Sequence, residues 1–425
     1  MKKNKLVPKL RFPEFKNSPS WDIKKFDFQF LPTNTFSRSE MNNNKGIVKN
    51  IHYGDILTKY NYIVDKTSLI PFINDDINLN KFTRESYLKS GDIIIADTAE
   101  DFSAGKSIEV QNINCKVLSG QHTFLCRPQI KYAPKFLGYY LNSPLYHNHL
   151  TKFLTGTKVY SITKTNIKNT FIIYPDNLEE QQKIADCLAS IDELVDAEKR
   201  KLEALKKYKK ALMQKLFPSE DASIPELRFA EFRINIDFFN GNLLFEQISN
   251  KNNNSDLPIL AITQNKGAIP RNEINYNVVA TEKSISTYKV VEVGDFIISL
   301  RSFQGGIEYS NYKGICSPAY IILRKKNNNI YEPYYKYYFK TDRYIINLNA
   351  NIEGIRDGKM ISYSQFSDIK IPCPTLEEQQ KIADCLASID SIIDSQVKRI
   401  DNLIKHKKAL MQGLFPDMES IEDYE

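Results

Sequence analysis

No stretch of about 18 consecutive apolar residues occurs anywhere in the 425-residue chain, so no segment is expected to cross a membrane as a helix. The start, Met1-Lys-Lys-Asn-Lys5, is basic, but no apolar core follows, and a secretory signal is not expected. Cysteine is sparse. Cys115, Cys126, Cys187, Cys316, Cys373 and Cys385 include no C-x-x-C pair and no zinc-like grouping, which predicts a reduced, cytoplasmic protein. Cys187 and Cys385 fall in helical patterns, where a small buried thiol is the expected role. There is no G-x-x-x-x-G-K-[ST] loop to cradle a nucleotide. The Asn-Pro-Pro-aromatic and Asp-Pro-Pro-aromatic motifs of amino-methyltransferases are also missing. Asp22-Ile-Lys24 and Asp368-Ile-Lys370 match only the three-residue tail of a nuclease motif, a length that chance supplies. His147 and His149 have no third ligand beside them, which favours packing over metal binding. No nucleotide-binding, amino-methyltransferase or metal signature of these kinds is therefore visible in the chain.

What is present is enough for more than one core. Hydrophobic residues make up 42%, and the length suits two or three domains. A net charge of +7, with 24 tyrosines and many asparagines, suits a polyanionic partner. The same excess follows from a low-GC genome, so composition alone does not decide.

The dominant feature is a repeat. Leu178-EEQQKIADCLASI-Asp192 recurs letter for letter as Leu376 to Asp390, and the likeness extends to KKALMQKLFP (Lys209 to Pro218) and KKALMQGLFP (Lys407 to Pro416). Pro8-KLRFPE-Phe15 is echoed by Pro225-ELRFAE-Phe232. So long a period means duplicated domains rather than a solenoid. The intervening bodies, 16–177 and 233–375, diverge but share landmarks: Lys89-Ser-Gly-Asp-Ile-Ile-Ile95 beside Glu292-Val-Gly-Asp-Phe-Ile-Ile298, and a closing apolar run before Pro175 and Pro372. The predicted organisation is 1–177, entry motif and first body; 178–217, first helix; 218–375, linker, entry motif and second body; 376–416, second helix; and 417–425, an acidic tail. One support with two different surfaces suggests two different ligands.

Both repeated segments read as long helices. Glu179-Glu180 and Glu377-Glu378 suit the positive helix start, lysines crowd the end, and Pro218 and Pro416 stop the run. Stepping by four and three places Ile184, Leu188, Ile191, Val195, Leu202, Leu205 and Leu212 on one seam. Ile382, Leu386, Ile389, Ile393, Ile400, Leu403 and Leu410 form the second. Glu198 and Lys209, and Gln396 and Lys407, interrupt the seams at the same steps. Two such helices predict an antiparallel coiled coil of roughly 60 Å that relates the bodies by a pseudo-two-fold axis. The alternative is two ordinary amphipathic helices, each packed on its own domain. The fold class expected is α+β: two mixed, sheet-containing domains joined to two long helices.

The order of entry motif, variable body and LEEQQKIADCLASID helix, given twice, resembles the specificity subunits of Type I restriction–modification enzymes over essentially the whole chain. That resemblance implies two target recognition domains, each reading half of a bipartite DNA sequence, with the helices setting the unread gap. It also implies that this chain is not itself an enzyme and binds no metal or cofactor, and that two methyltransferase subunits use S-adenosylmethionine to methylate adenine N6. Two translocase–nuclease subunits using ATP and Mg would complete the restriction form. Half-sites about one turn, roughly 34 Å, apart on double-stranded DNA are within reach of such an arrangement. A coiled-coil scaffold that reads no DNA, a defective specificity subunit and a self-contained DNA enzyme are the rival readings; the missing motifs disfavour the last.

Direct readout needs amide, basic and hydroxyl side chains on loops of a rigid scaffold. In the first body these are His52, Tyr53 and Lys59 after the Ile51 strand, and Thr98 and Lys106 around the loop that follows Gly91-Asp92. Gln121 and His122, with Thr157, Lys158 and Tyr160, complete the set. In the second body they are Thr263, Gln264, Asn265 and Lys266, then Arg301, Ser302 and Gln304, then Arg356 and Lys359. Arg301 and Gln304 lead as base readers, and the loops holding Lys158 and Arg356 look suited to clasp phosphate.

Overall fold

The computed structural model describes residues 6–219, 222–252, 256–274, 285–300, 302–350 and 361–416; the acidic tail at 417–425 lies outside them. Helix α1 spans Leu178–Leu216 and α2 spans Leu376–Leu414. Packing divides the chain differently from the repeat. One unit is Met1–Glu198 with Arg399–Glu425, and the other is Lys199–Lys398. Each unit therefore holds one body, the start of the helix that follows that body, and the end of the other helix.

The first unit is built on a five-stranded sheet ordered Phe28–Leu31, Thr123–Pro128, Ile93–Ala96, Ser107–Val110 and Ile63–Val64. All contacts in it are antiparallel except the last. A four-stranded sheet (Lys116–Ser119, Val48–Ile51, Phe72–Ile73, Met41–Asn42) accompanies it. The second unit repeats the first four positions of the larger sheet as Phe245–Ile248, Ile321–Lys325, Phe296–Ile298 and Glu308–Tyr309. In each unit the entering and closing segments pair as a two-stranded antiparallel ribbon, Asp22–Lys25 with Phe171–Tyr174 and Asp237–Asn240 with Lys370–Cys373.

The Gly-Asp landmark is a turn clamp. Gly91 and Gly294 adopt φ of +88° and +96°, which glycine tolerates without strain. The aspartate then folds back to accept a hydrogen bond from the backbone N–H of Lys89 (2.7 Å) or Glu292 (2.8 Å). An arginine on the neighbouring strand grips both carboxylate oxygens: Arg127 on Asp92 at 2.6 and 2.7 Å, Arg324 on Asp295 at 2.7 and 2.7 Å. Ile93–Ala96 and Phe296–Ile298 follow as wholly buried central strands, which is why they read as unbroken apolar runs rather than alternating ones.

The entry motif works the same way twice. Arg11 forks onto Glu180 in the first turn of α1 (2.7 and 2.8 Å), and Arg228 forks onto Glu378 in the first turn of α2 (2.7 and 2.7 Å). Both glutamates are almost fully buried, and Trp21 also donates to Glu180 at 3.2 Å. The leucine before each arginine donates its N–H to the end of a helix, Leu10 to the Gly413 carbonyl and Leu227 to that of Lys215. A Cβ at Gly413 would fall 2.5 Å from the Leu10 side chain, so glycine fits there. Gln181 and Gln379 bridge the body to the helix start. Each donates to a proline carbonyl at 2.8 Å and accepts a backbone N–H, from Ala133 at 2.9 Å or Tyr331 at 2.8 Å.

Helix ends complete the cores. Phe415 packs edge-on against Trp21 and Tyr140 at 6.2 and 5.7 Å in the first unit, and Phe217 lies 5.1 Å from Tyr334 in the second. Within the first unit Asp192 faces Lys407 (2.6 and 2.7 Å) and Glu198 faces Arg399 (2.7 Å); within the second, Asp390 meets Lys209. Numbers rising on one helix meet numbers falling on the other, so the pairing is antiparallel. Ile184, Leu188, Val195, Leu212, Ile382, Leu386, Ile389 and Ile400 are buried, and the remaining seam residues are half-buried. The polar interruptions are matched too. Lys407 lies 4.2 Å over the Tyr62 ring and Lys209 lies 5.0 Å over that of Tyr337.

Removing one partner of a buried ion pair leaves the other charge unpaired. Glu180→Ala is expected to lower the unfolding free energy by about 3–5 kcal/mol in a urea titration, while replacing Arg11 and Glu180 together by Met and Leu recovers part of that loss.

Candidate nucleic-acid interface

Three distant segments of the first body meet at one surface. His52 caps the short helix Tyr53–Thr58, with Nδ1 accepting from the Gly54 N–H at 3.2 Å, which leaves the proton of a neutral ring on Nε2. The Tyr53 ring lies 4.5 Å from His52 and 5.4 Å from His122, and its N–H donates to the Gln121 carbonyl. His122 sits at φ +53° in the turn that starts the strand Thr123–Pro128, and its Nδ1 is 3.2 Å from Asp97 Oδ1. The Asp97 N–H in turn donates to the His122 carbonyl at 3.1 Å. Burial, with repulsion from Arg38, holds His52 below the usual imidazole range, and burial pushes Asp97 above the usual carboxylate range. Beside Asp97, the Thr98 hydroxyl donates to the Tyr160 carbonyl (3.2 Å), and the Tyr160 ring lies 4.4 Å from that of Phe102. Thr157 and Lys158 occupy the exposed turn just before Tyr160.

In the second body Thr263, Gln264, Asn265 and Lys266 form the tip of a hairpin between the strands Leu260–Thr263 and Gly267–Pro270. The Thr263 hydroxyl donates to the Gly267 carbonyl (3.0 Å) and accepts from the Lys266 N–H (3.1 Å), so Gln264, Asn265 and Lys266 project to solvent. Gly267 has φ +72°, and a Cβ there would lie 2.5 Å from the Tyr309 carbonyl. Lys340 ties this hairpin to the next loop. Its ammonium donates to the carbonyls of Gln264 (3.3 Å) and Gly305 (2.7 Å) and pairs with Glu308. Burial lowers the Lys340 pKa and raises that of Glu308. A cleft of about 650 Å³ is lined by Ile262, Gln264, Asn265, Lys266, Leu300 and Tyr320, and Gln304 is exposed.

Three expectations change or fall elsewhere. The Lys106 ammonium is turned inward, donating to the Leu57 and Tyr60 carbonyls at 3.2 and 2.9 Å, with its pKa lowered by burial; it holds a loop and is not free for phosphate. Ser302 is buried, and its hydroxyl accepts from the Ser299 N–H at 2.8 Å, closing a turn rather than facing out. Arg301, Arg356 and Lys359 lie outside the described residues. Lys59 is half exposed, with its ammonium 2.9 Å from Asp55. Sequence reasoning passed over Lys340, Arg127 and Arg324, and met Asp97 only as part of an acidic loop that opposes phosphate contact without excluding base reading. The two arginines could have been sought as partners for a repeated buried aspartate; Lys340 sits in a tyrosine-rich helical stretch that carries no such signal. His149 packs against Phe153 and Phe171 at 5.5 and 5.7 Å, and among the described residues no three metal-ligating groups converge. No described helix is long and apolar enough to cross a membrane.

The family model for the Type I restriction modification DNA specificity domain matches this chain twice, over residues 20–207 and 232–406. The chain is 28% identical over 343 residues to the candidate type I restriction enzyme MjaX specificity subunit of Methanocaldococcus jannaschii, covering 76% of this chain and 77% of that protein. Its fold is similar to the crystal structure of a Type I restriction–modification S subunit from M. genitalium, with a TM-score of 0.53, 16% identity, and coverage of 97% and 100%. A chain from a structural study of complex assembly in a type I system matches with a TM-score of 0.55 at 18% identity, covering 94% and 98%.

Lys106→Met is expected to destabilise the first unit by about 1–3 kcal/mol, because two buried carbonyls lose their donor. Lys158→Met, on an exposed turn, should stay within about 0.5 kcal/mol of the parent in the same denaturation experiment.

Proposed function

The chain belongs to the Type I restriction–modification DNA-specificity family, and from that premise we propose that its two bodies read the two halves of a gapped DNA target for partner subunits that carry the chemistry. The observation that carries this reading is the contrast inside the molecule. Both bodies keep the same sheet order, the same Gly-Asp clamp and the same Arg–Glu anchor, yet the loop tips on that frame carry different side chains. The first presents His52, Tyr53, Gln121 and His122, and the second presents Gln264, Asn265, Lys266 and Gln304.

These groups suit base edges in the major groove. Gln and Asn amides pair with adenine N6 and N7, Lys with guanine O6 and N7, and a neutral His52 offers one Nε2–H donor. Exposed lysines such as Lys158 supply the sequence-independent attraction to phosphate. In this reading the chain binds no cofactor. Two methyltransferase subunits using S-adenosylmethionine flip and methylate adenine, and two translocase–nuclease subunits using ATP and Mg perform restriction. The paired helices set the distance between half-sites.

A genome-wide map of N6-methyladenine in cells making this chain with its methyltransferase partner is expected to show a two-part gapped motif that disappears when only this chain is removed. Exchanging one body should alter one half of the motif and leave the other. A map with no chain-dependent motif, from a stable complex with an active partner, would favour a scaffold or a defective subunit. In the assembled complex, Lys158→Ala should reduce the slope of log affinity against log salt by about 1 without changing the motif.

A further inference from the structure

We propose that Asp97 is a specificity-determining residue of the first body, accepting a hydrogen bond from the exocyclic amino group of a cytosine or adenine in the first half-site. The inference rests on the DNA-reading function above and gives its chemistry at one position.

The two bodies supply the first argument. Counting from the shared Gly-Asp turn, Asp97 corresponds to Leu300. The aspartate that holds the fold, Asp92, is kept as Asp295 and gripped by arginine in both units. Asp97 is not kept. Its counterpart is an apolar side chain, 52% exposed, on the lining of the second body's cleft. The fold therefore does not require a carboxylate at the end of this strand, and the position changes between two surfaces that would read different sequences.

Geometry supplies the second. Asp97 contacts His122, whose ring packs against Tyr53 beside His52, and its side chain is 23% exposed. His122 Nδ1 engages Oδ1, and Oδ2 has no hydrogen-bond partner among the described residues. The backbone bond from Asp97 N–H to the His122 carbonyl and the Tyr53 ring against His122 restrict how that pair can move. An ionised carboxylate only accepts hydrogen bonds and is repelled by phosphate. On the floor of the major groove the donors open to it are cytosine N4 and adenine N6. The exposed Leu300 would instead meet an apolar feature such as a thymine methyl group.

The test uses the chain assembled with its methyltransferase partner, on duplexes carrying the target given by the methylation map. Each cytosine and each non-methylated adenine of the first half-site is replaced in turn by 2-pyrimidinone or purine, which lack the amino group. At one position the unaltered protein should bind about 5–150-fold more weakly, the range for one good base contact. Asp97→Ala, which removes the acceptor, should be nearly indifferent to that replacement, and its methylation map should change at that position alone. If no amino-group deletion in the first half-site weakens the unaltered protein, the proposal is wrong, whatever the variants do. If Asp97→Ala keeps the parental preference at every position, or weakens all sequences equally, Asp97 is a structural partner of His122 and the proposal also fails. A map with no chain-dependent motif removes the underlying reading and this inference with it.

Discussion

A guanidinium buried against a carboxylate at the first turn of each long helix fastens three parts of the chain at once. Arg11 and Arg228 stand in the entry motif, Glu180 and Glu378 on the helix start, and the leucine beside each arginine bonds to a helix end. A buried pair of this kind is weak evidence for net stability, because desolvation offsets much of the attraction. Its value lies in geometry. A fork-to-fork contact tolerates little rotation, so it fixes the direction in which the helix leaves the body. The glutamine next in sequence repeats the constraint with hydrogen bonds to the body.

That anchoring explains why so much of the repeat is identical. In Leu178–Asp192 and Leu376–Asp390 the buried apolar residues face the cores, while Glu180, Gln181 and Asp192, and likewise Glu378, Gln379 and Asp390, each have a defined partner. Asp192 and Asp390 accept from Tyr139 and Tyr337 at 2.8 and 2.9 Å as well as meeting a lysine from the paired helix. The charged interruptions of the seams, Glu198, Lys209 and Lys407, are thus satisfied ion pairs. Such pairs set register, since sliding one helix by a turn would strand both charges.

Readout is placed where none of these constraints reach. The strand after each Gly-Asp clamp is buried to its last residue, and its side chains are dictated by packing. One step further the chain emerges at a surface, and the two bodies differ: Asp97 and Thr98 in one, Leu300 in the other. Lys340 and Asn142 show how the support can vary while the job persists. Lys340 holds two loops through carbonyls, and Asn142, just after the helix Phe136–Tyr140, ties that helix to the strand at Ser107 through bonds of 2.7 and 2.8 Å.

Periodicity, turn chemistry and an exact internal repeat are local properties, and the sequence alone determined what they encode. Those properties were enough to place both long helices to within a residue or two, their seams and the Gly-Asp turns. They were also enough to exclude a P-loop. Which side chains meet across the fold was decided only by tertiary structure. The division of each helix between two cores, the arginine partners of the clamps, the inward turn of Lys106, the burial of Ser302 and the meeting of Asp97 with His122 all depend on residues far apart in the chain. A lysine on a loop carries the same charge whether it faces solvent or two carbonyls. Nothing in its local sequence distinguishes the two, because the difference lies in what the folded chain brings beside it.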